Sequence, residues 1–389
     1  MRILSLSCSR FRSFRELSGW RPGALNVIIG PNASGKSNLL QLIDFLAASA
    51  QGRLAKTVQR AGGILPLLWD GEGEDLVFNI ECALTDSPSV TGYELRLTRL
   101  GAGGDFSLFE KMTDASFPGA ESQKLFERVG SYATYYRPEK EEGFPITEGY
   151  PLTETVVSYS KSYSREDNPP SGLNQALSSF SVYQDLQTHR DAPIRQPAVT
   201  RMEKRVDADG QNLIPVLHTL YTGDREFKNE VNDAMRAAFG PDFEELVFPP
   251  ASDQRIQLRI RWKSLRREQS AAELSDGTLR FLFLLAVLAS PDPAPLIAID
   301  EPETGLHPSM LPIIAEYAVQ ASKKAQVIFT THSPALLDAF TETQPQTTVV
   351  QRHEGETVLR TLEGPALAEW LEHYTLGKLF ESGELEDFG

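Results

Sequence analysis

The sequence predicts an α/β fold around a mostly parallel sheet, on two observations. An apolar strand, Asn26 to Ile29, runs directly into a glycine-rich loop and a helix, and from Leu274 onward apolar strands alternate with helices. That alternation is the mark of parallel strands covered on both faces. At 389 residues the chain is too long for one ordinary core, so one large domain with a substantial insertion, or two domains, is expected.

The elements follow in order. Residues 1 to 30 read as two or three strands, ILSLSC, RFRSFREL and ALNVII, broken at Arg21-Pro22-Gly23. A helix starts near Gly35 and places Leu39, Leu40, Ile43 and Leu46 at helical spacing. LVFNIECAL (76–84) and YELRLTRL (93–100) read as strands of an antiparallel sheet. From Gly101 to Pro250 the pattern weakens. Helical stretches fall at 173–187 and 211–239, and SYSKSYSREDNPPSG (158–172) reads as a mobile loop. No apolar heptad is sustained, which excludes a coiled-coil arm. Then come the helix TLRFLFLLAVLA, the strand PLIAID, a helix over 309–324, the strand QVIFTT and a helix at PALLDAF. Beyond Val349 a strand pair, a short helix and an acidic end are expected. These give an N-terminal lobe with a β-subdomain (1–104), a helical and loop insertion (105–250), a C-terminal lobe (251–349) and a tail (350–389).

Composition narrows the partners. A net charge of -15 argues against a globally positive surface that coats nucleic acid. The basic run Arg255 to Arg267 alternates with apolar residues and reads as a strand with one solvated face. The longest apolar run, Phe281 to Ala289, is far below the ~20 residues that span a bilayer. The N-terminus lacks signal-peptide features, so a cytoplasmic location is expected. Cys8 and Cys82 form no CxxC or Cys/His cluster, so neither disulfide nor zinc is supported.

Four motifs carry chemistry. Gly30-Pro31-Asn32-Ala33-Ser34-Gly35-Lys36-Ser37 fits the P-loop pattern between a strand and a helix. In such a loop backbone N–H groups wrap phosphates, Lys36 reaches the β and γ phosphates, and the Ser37 hydroxyl ligates magnesium. PLIAIDEPETGLHP delivers Asp300 and Glu301 at the end of an apolar strand. Asp300 suits magnesium, usually through water, and Glu301 suits orienting and deprotonating an attacking water. Glu273 to Thr278, read alone, is an ordinary helix start capped by Ser275 or Asp276, with Gly277 in the first turn. His332 follows the strand QVIFTT, and a lone histidine there is more often structural than catalytic.

Taken in this order the motifs resemble those of ABC-class ATPases. The resemblance is to the SMC/RecF/OLD branch rather than to transporter subunits, through FRSF, GPNASGKSNLL, LSDGTLR, DEPETGLHP and TTHSPALLD. It is specific over residues 1–50 and 270–340 and loose elsewhere. It implies an ATPase head: a mostly parallel sheet, an N-terminal antiparallel β-subdomain and a mixed helical insertion, with ATP and Mg2+ as cofactors. Gly30 to Ser37 become Walker A, with Asn38 beside the nucleotide; Asp300 and Glu301 become Walker B; His332 becomes the switch histidine, acting in catalysis with Glu301 and Lys36. Ser275 and Gly277 become the signature that contacts the γ-phosphate from the opposite subunit, and 303–307 the D-loop. A homodimer closed by an ATP sandwich, or a higher even-numbered assembly, is then expected. Asp276 departs from the glycine usual in transporter subunits, and the glutamine expected after the first subdomain has no convincing position; Gln51 and Gln59 are nearby.

The resemblance extends to stand-alone RecF/OLD-like ATPases of bacteria, many encoded beside an effector and acting in defence against phage. LGKLFESGELEDFG is similar to the closing segment of that group, which implies that the insertion and tail dock a separate effector. The span between Ser37 and Ser275 is too short for SMC arms, and the stretch after His332 too short for a Toprim nuclease domain. No membrane partner is expected. The alternative is a RecF-like DNA-repair ATPase whose dimer groove uses Arg10, Arg12, Arg15 and Arg255 to Arg267.

Overall fold

The computed structural model describes residues 1–71, 73–84, 89–101, 104–117, 120–136, 143–145, 151–159, 169–340, 343–362 and 375–383. The chain opens with β1 (Arg2–Phe11), β2 (Phe14–Trp20), β3 (Leu25–Ile29), α1 (Lys36–Ala50) and α2 (Leu54–Arg60). Next come β4 (Asp75–Ala83), β5 (Val90–Arg99), β6 (Phe106–Ala115), β7 (Gln123–Val129), β8 (Tyr132–Tyr136), β9 (Gly143–Pro145), α3 (Val156–Tyr159) and α4 (Pro169–Leu177). The middle holds β10 (Ser181–Tyr183), β11 (Ala198–Val199), α5 (Leu213–Gly223), α6 (Arg225–Phe239), β12 (Phe243–Val247), β13 (Pro250–Ala251), β14 (Arg255–Ile256), β15 (Arg259–Trp262) and β16 (Gln269–Ser270). The last stretch carries α7 (Asp276–Leu288), β17 (Leu296–Asp300), α8 (Leu311–Ser322), β18 (Gln326–Thr331), α9 (Pro334–Asp338), β19 (Gln346–His353), β20 (Glu356–Thr361) and α10 (Leu376–Glu381). Two compact units result: Met1–Gly23 with Gly30–Phe180 and Val349–Arg360, and Ala24–Ile29 with Ser181–Thr348 and Thr361–Gly389.

The first unit is built on an antiparallel sheet in the order β2-β1-β4-β5-β6-β7-β8-β9. Its strands alternate as one-sided sheets do: in β4, Leu76, Phe78, Ile80 and Cys82 are buried while Asn79 and Glu81 reach solvent. Helix α1 is buried on most sides, and Phe45 joins Phe11 and Phe78 of the sheet in an aromatic cluster with centroid separations of 5.0 to 5.8 Å. The sheet runs well past residue 104. β6, β7 and β8 are strands where the sequence suggested helix and loop, because two inward positions of β6 and β7 hold charges, Glu110 and Arg128, instead of apolar residues. Most of the expected mobile loop over 158–172, and the acidic end from 384, lie outside the described residues.

The second unit holds parallel strands in the order β10-β17-β18-β3. Ser181 pairs with Ile297, Ile297 with Val327, and Val327 with Leu25. Every residue of β3 and β18 is buried, which is why these strands read as continuous apolar runs. The expected helix over 173–187 is two elements, since α4 stops at Leu177 and β10 enters this sheet. The stretch 211–239 is likewise split, with Asp224 capping α6 by accepting from Glu226 N and Phe227 N at 2.9 and 3.0 Å. At the tail, α10 lies against α9: Gly377 N donates to Asp338 Oδ1 at 2.8 Å, and a Cβ on Gly377 would come within 2.4 Å of the Pro334 carbonyl oxygen.

Candidate functional site

The glycine-rich loop begins where β3 ends and is shaped for close backbone approach. Gly30 and Gly35 have φ of 151° and 112°, and a Cβ on either would lie 2.2 Å from Val350 O or Thr357 Oγ1, so only glycine fits. Ala33 is also left-handed, at φ 63°. The Lys36 ammonium, 6% exposed, turns over the loop and donates to the carbonyls of Gly30 and Pro31 at 2.8 and 3.1 Å. Helix α1 starts at Lys36 with no side-chain cap, so its first N–H groups and its dipole face the loop's concavity. Within the loop the buried Ser34 Oγ has no hydrogen-bond partner. Backbone donors, a cation and an orphaned hydroxyl in a glycine-walled cradle fit a polyphosphate.

Two residues outside the pattern brace this loop. Thr357 Oγ1 lies 2.7 Å from both the Ser34 carbonyl oxygen and Ser13 Oγ, and Thr357 N donates to Ser13 O at 2.7 Å. Asn38 Nδ2 donates to Ser13 Oγ at 2.6 Å, so in this structure Asn38 supports the loop through Ser13. Ser13 carried a signal, as the serine of FRSF; Thr357 carried none.

The second group sits at the carboxyl edge of the parallel sheet, where open α/β sheets bind ligands. Asp300 and Thr330 are register partners in β17 and β18, and the Thr330 hydroxyl donates to the Asp300 carboxylate. Glu301 is left-handed at φ 46°, an unusual conformation for this residue, held by its N–H donating to Thr330 O at 3.1 Å. His332 Nδ1 lies 2.9 Å from Glu301 Oε1. The Thr331 hydroxyl bonds the Glu303 carboxylate, whose pKa is pushed up by burial. Among the described residues no cluster of three or more His, Cys, Asp or Glu could hold a metal. Ser37, at the start of α1, and Asp300, at the end of β17, each offer an oxygen of the hard kind that Mg2+ takes.

Beside these carboxylates is a cleft lined by Tyr183, Gln184, Asp185, Arg280, Asp300 and Glu301. Gln184 directly follows β10, the strand next to β17. Gln51, in contrast, ends α1 and donates to Ser178 O at 2.7 Å, and Gln59 is within α2. Gln184→Ala is expected to leave ATP binding intact while slowing turnover about tenfold, read as a fall in kcat at nearly constant KM; unchanged kcat would remove Gln184 from the site.

The signature segment begins α7. Ser275 Oγ accepts from Thr278 N at 3.1 Å, as a capping serine does. Gly277 permits contact with the loop after Glu301, because a Cβ there would be 2.6 Å from Gly305 O. Within the basic run of 255–267, Arg259, Arg261 and Arg267 are ion-paired. Arg261 pairs with Glu245 and Glu268, and Arg267 with Glu273 at 2.7 Å. Of the N-terminal arginines, Arg15 stacks on Trp69 at 5.4 Å and Arg12 on Phe11 at 5.9 Å. No described helix is long and apolar enough to cross a membrane.

Comparison with known proteins gives a family model described as "AAA domain, putative AbiEii toxin, Type IV TA system", which matches residues 25–128 and 93–338. The DNA replication and repair protein RecF of Limosilactobacillus fermentum is 36% identical over 83 residues, 17% of this chain and 22% of that protein. The match spans only about a fifth of that relative. A crystal structure of an Smc head bound to the C-winged helix domain of ScpA aligns with 95% of this chain and 100% of its own at TM-score 0.60 and 14% identity. An Smc head with an extended coiled coil from Pyrococcus furiosus, bound to the C-terminal domain of ScpA, aligns at TM-score 0.49 and 14% identity, covering 95% of this chain and 98% of its own.

Proposed function

Since the chain belongs to the AAA-domain family of AbiEii type and is an SMC/RecF-like ABC-type ATPase, we propose that two copies close head to tail on two ATP molecules and that the nucleotide state governs a partner effector. The observation that carries this reading is the pair Glu301 and His332, 2.9 Å apart at the carboxyl edge of the parallel sheet. Lys36 neutralises the β and γ phosphates within the loop Gly30 to Ser37. By their places in the two Walker motifs, Ser37 and Asp300 would be the residues that hold magnesium, which would offset charge developing on the phosphates. Gln184 and Glu301 orient the attacking water, Glu301 takes its proton, and His332 keeps the carboxylate aimed. Ser275 and the first N–H groups of α7, Gly277 included, present a helix N-terminus to the γ-phosphate of the other copy. Cleavage removes those γ-phosphate contacts and loosens the dimer.

Control of a partner effector is in keeping with the toxin–antitoxin wording of the family description, and its service in prokaryotic anti-phage defence rests on the sequence resemblance alone. That the similar Smc head was solved with a bound protein domain supports a protein partner. Homodimerisation rests on the resemblance of the segment Glu273 to Thr278, beyond its role as a helix start, to the signature of ABC-class ATPases. A second reading, a DNA-repair ATPase, is favoured by the RecF match and weakened by the ion-paired arginines of 259–267. One experiment separates them. Phosphate release and molecular mass are followed together with ATP and magnesium, and labelled duplex DNA is then titrated at two salt concentrations. Turnover with ATP-driven doubling of mass and no duplex binding is expected. A monomer that hydrolyses ATP refutes the shared site, and ATP-dependent duplex binding that weakens steeply with salt transfers the assignment to DNA repair.

A further inference from the structure

We propose that Arg195 is the positioning residue that holds the signature half-site in shape for the partner copy's nucleotide, with Asp276 as its counter-charge. The proposal rests on the shared-site reading above. Arg195 ends a short 3-10 turn at Pro193–Arg195, downstream of Gln184, and is 8% exposed. Its guanidinium is almost fully used. Nε donates to Thr188 O at 2.7 Å, one terminal nitrogen donates to Leu274 O at 2.6 Å and Ala271 O at 3.2 Å, and the other pairs with the Asp276 carboxylate.

These acceptors have a common geography. Ala271 and Leu274 bracket the 3-10 turn Ala271–Glu273 that leads directly into Ser275, so one planar fork fixes the backbone just before the capping serine. Thr188 belongs to the segment that follows Gln184 in the cleft. Arg280, on α7, ties the same segment by donating to Leu186 O at 3.2 Å. The start of α7 and the Gln184 segment are thus stitched together by two arginines.

Charge completes the argument. A helix N-terminus attracts an anion, but the first residue of α7 is Asp276, 63% exposed in its side chain, and an unpaired carboxylate there would repel a triphosphate. Arg195 takes up that charge. The aspartate that stands where transporter subunits usually have glycine is compatible with phosphate binding because Arg195 neutralises it.

The test uses mixtures of full-length variants. Arg195→Ala alone is expected to bind a fluorescent ATP analogue as the wild type does and to lose about a hundredfold in turnover, the scale of a misplaced catalytic group. Mixed in equal amounts with Lys36→Ala, it should recover roughly a quarter of wild-type turnover, since half of randomly formed dimers are mixed and each has one complete site. Adding Asp276→Gly to Arg195→Ala should restore part of the loss, which a purely structural arginine would not do. Ser275→Arg mixed with Lys36→Ala is the control. If the control recovers and the Arg195 mixture does not, Arg195 acts within its own chain and the inference is wrong. If neither recovers, the shared-site reading itself fails. Loss of analogue binding by Arg195→Ala reduces the residue to a folding role and also overturns the inference.

Discussion

Glu301→Gln is expected to cut ATP turnover by about a thousandfold, the middle of the range for a positioned general base, while trapping the protein with bound ATP at twice its monomer mass. The substitution is close to isosteric and keeps a partner for His332 Nδ1 at 2.9 Å, so the loop should keep its shape. The left-handed backbone at φ 46° is no harder for glutamine than for glutamate. What disappears is the ability to take a proton from water. Binding and chemistry therefore separate: affinity for ATP persists, hydrolysis does not, and the closed state accumulates. Phosphate release and light scattering on the same sample would read both. Turnover within a few-fold of wild type would mean that another group takes the proton, and a variant that stays monomeric in ATP would mean that nucleotide does not join two copies.

The second large effect is on stability. Arg128→Met is expected to destabilise the first unit by about 3–5 kcal/mol, the usual result of stripping one partner from a buried ion pair. Glu110 and Arg128 have fully buried side chains 3.0 Å apart. Glu110 also accepts from Tyr93 OH at 2.9 Å and from Val156 N at 2.8 Å; every one of these groups is a donor, which suits an ionised carboxylate. Arg128 in turn donates to the carbonyls of Gly130, Leu152 and Glu154 at 2.8, 2.9 and 2.6 Å. The cluster fastens 151–156 to the sheet, and the same segment holds α1 and α2 through Thr155 Oγ1 to Ser49 O at 2.7 Å and Leu54 N to Glu154 Oε2 at 2.9 Å. Removing both charges, as Arg128→Met with Glu110→Gln, should cost less than removing Arg128 alone. Urea unfolding of the three proteins would show this, and an Arg128→Met midpoint equal to wild type would refute it.

The same pair explains where the sequence was hard to read. The loop Gly30 to Ser37 and the end of β17 were legible because each is contiguous and follows a strand that is apolar but for one residue, Asn26 in β3 and the terminal Asp300 in β17. In β6 the inward positions are Phe106, Leu108, Glu110 and Met112, and in β7 Phe126 is followed inward by Arg128. A buried ion pair across neighbouring strands looks in one dimension like two polar interruptions, so the sheet seemed to stop near residue 104. Gln184 was hidden for another reason. Its strand has three residues, and its meaning comes from lying beside β17, more than a hundred positions away in sequence. Thr357 and Arg195 were invisible for the same cause: their partners are fixed by the fold and not by spacing.

The near-touch of Gly277 and Gly305 has a wider bearing. With a carbonyl oxygen standing where any side chain on Gly277 would be, there is no compressible material between the loop that leaves Glu301 and the first turn of α7. A shift on one side has to be passed on, since close-packed backbone does not absorb strain. In a dimer arranged as proposed, each copy would sense through this rigid joint whether the other has fired. Turnover should then depend on ATP concentration more steeply than independent sites allow, and the pair would behave as one device with two chambers.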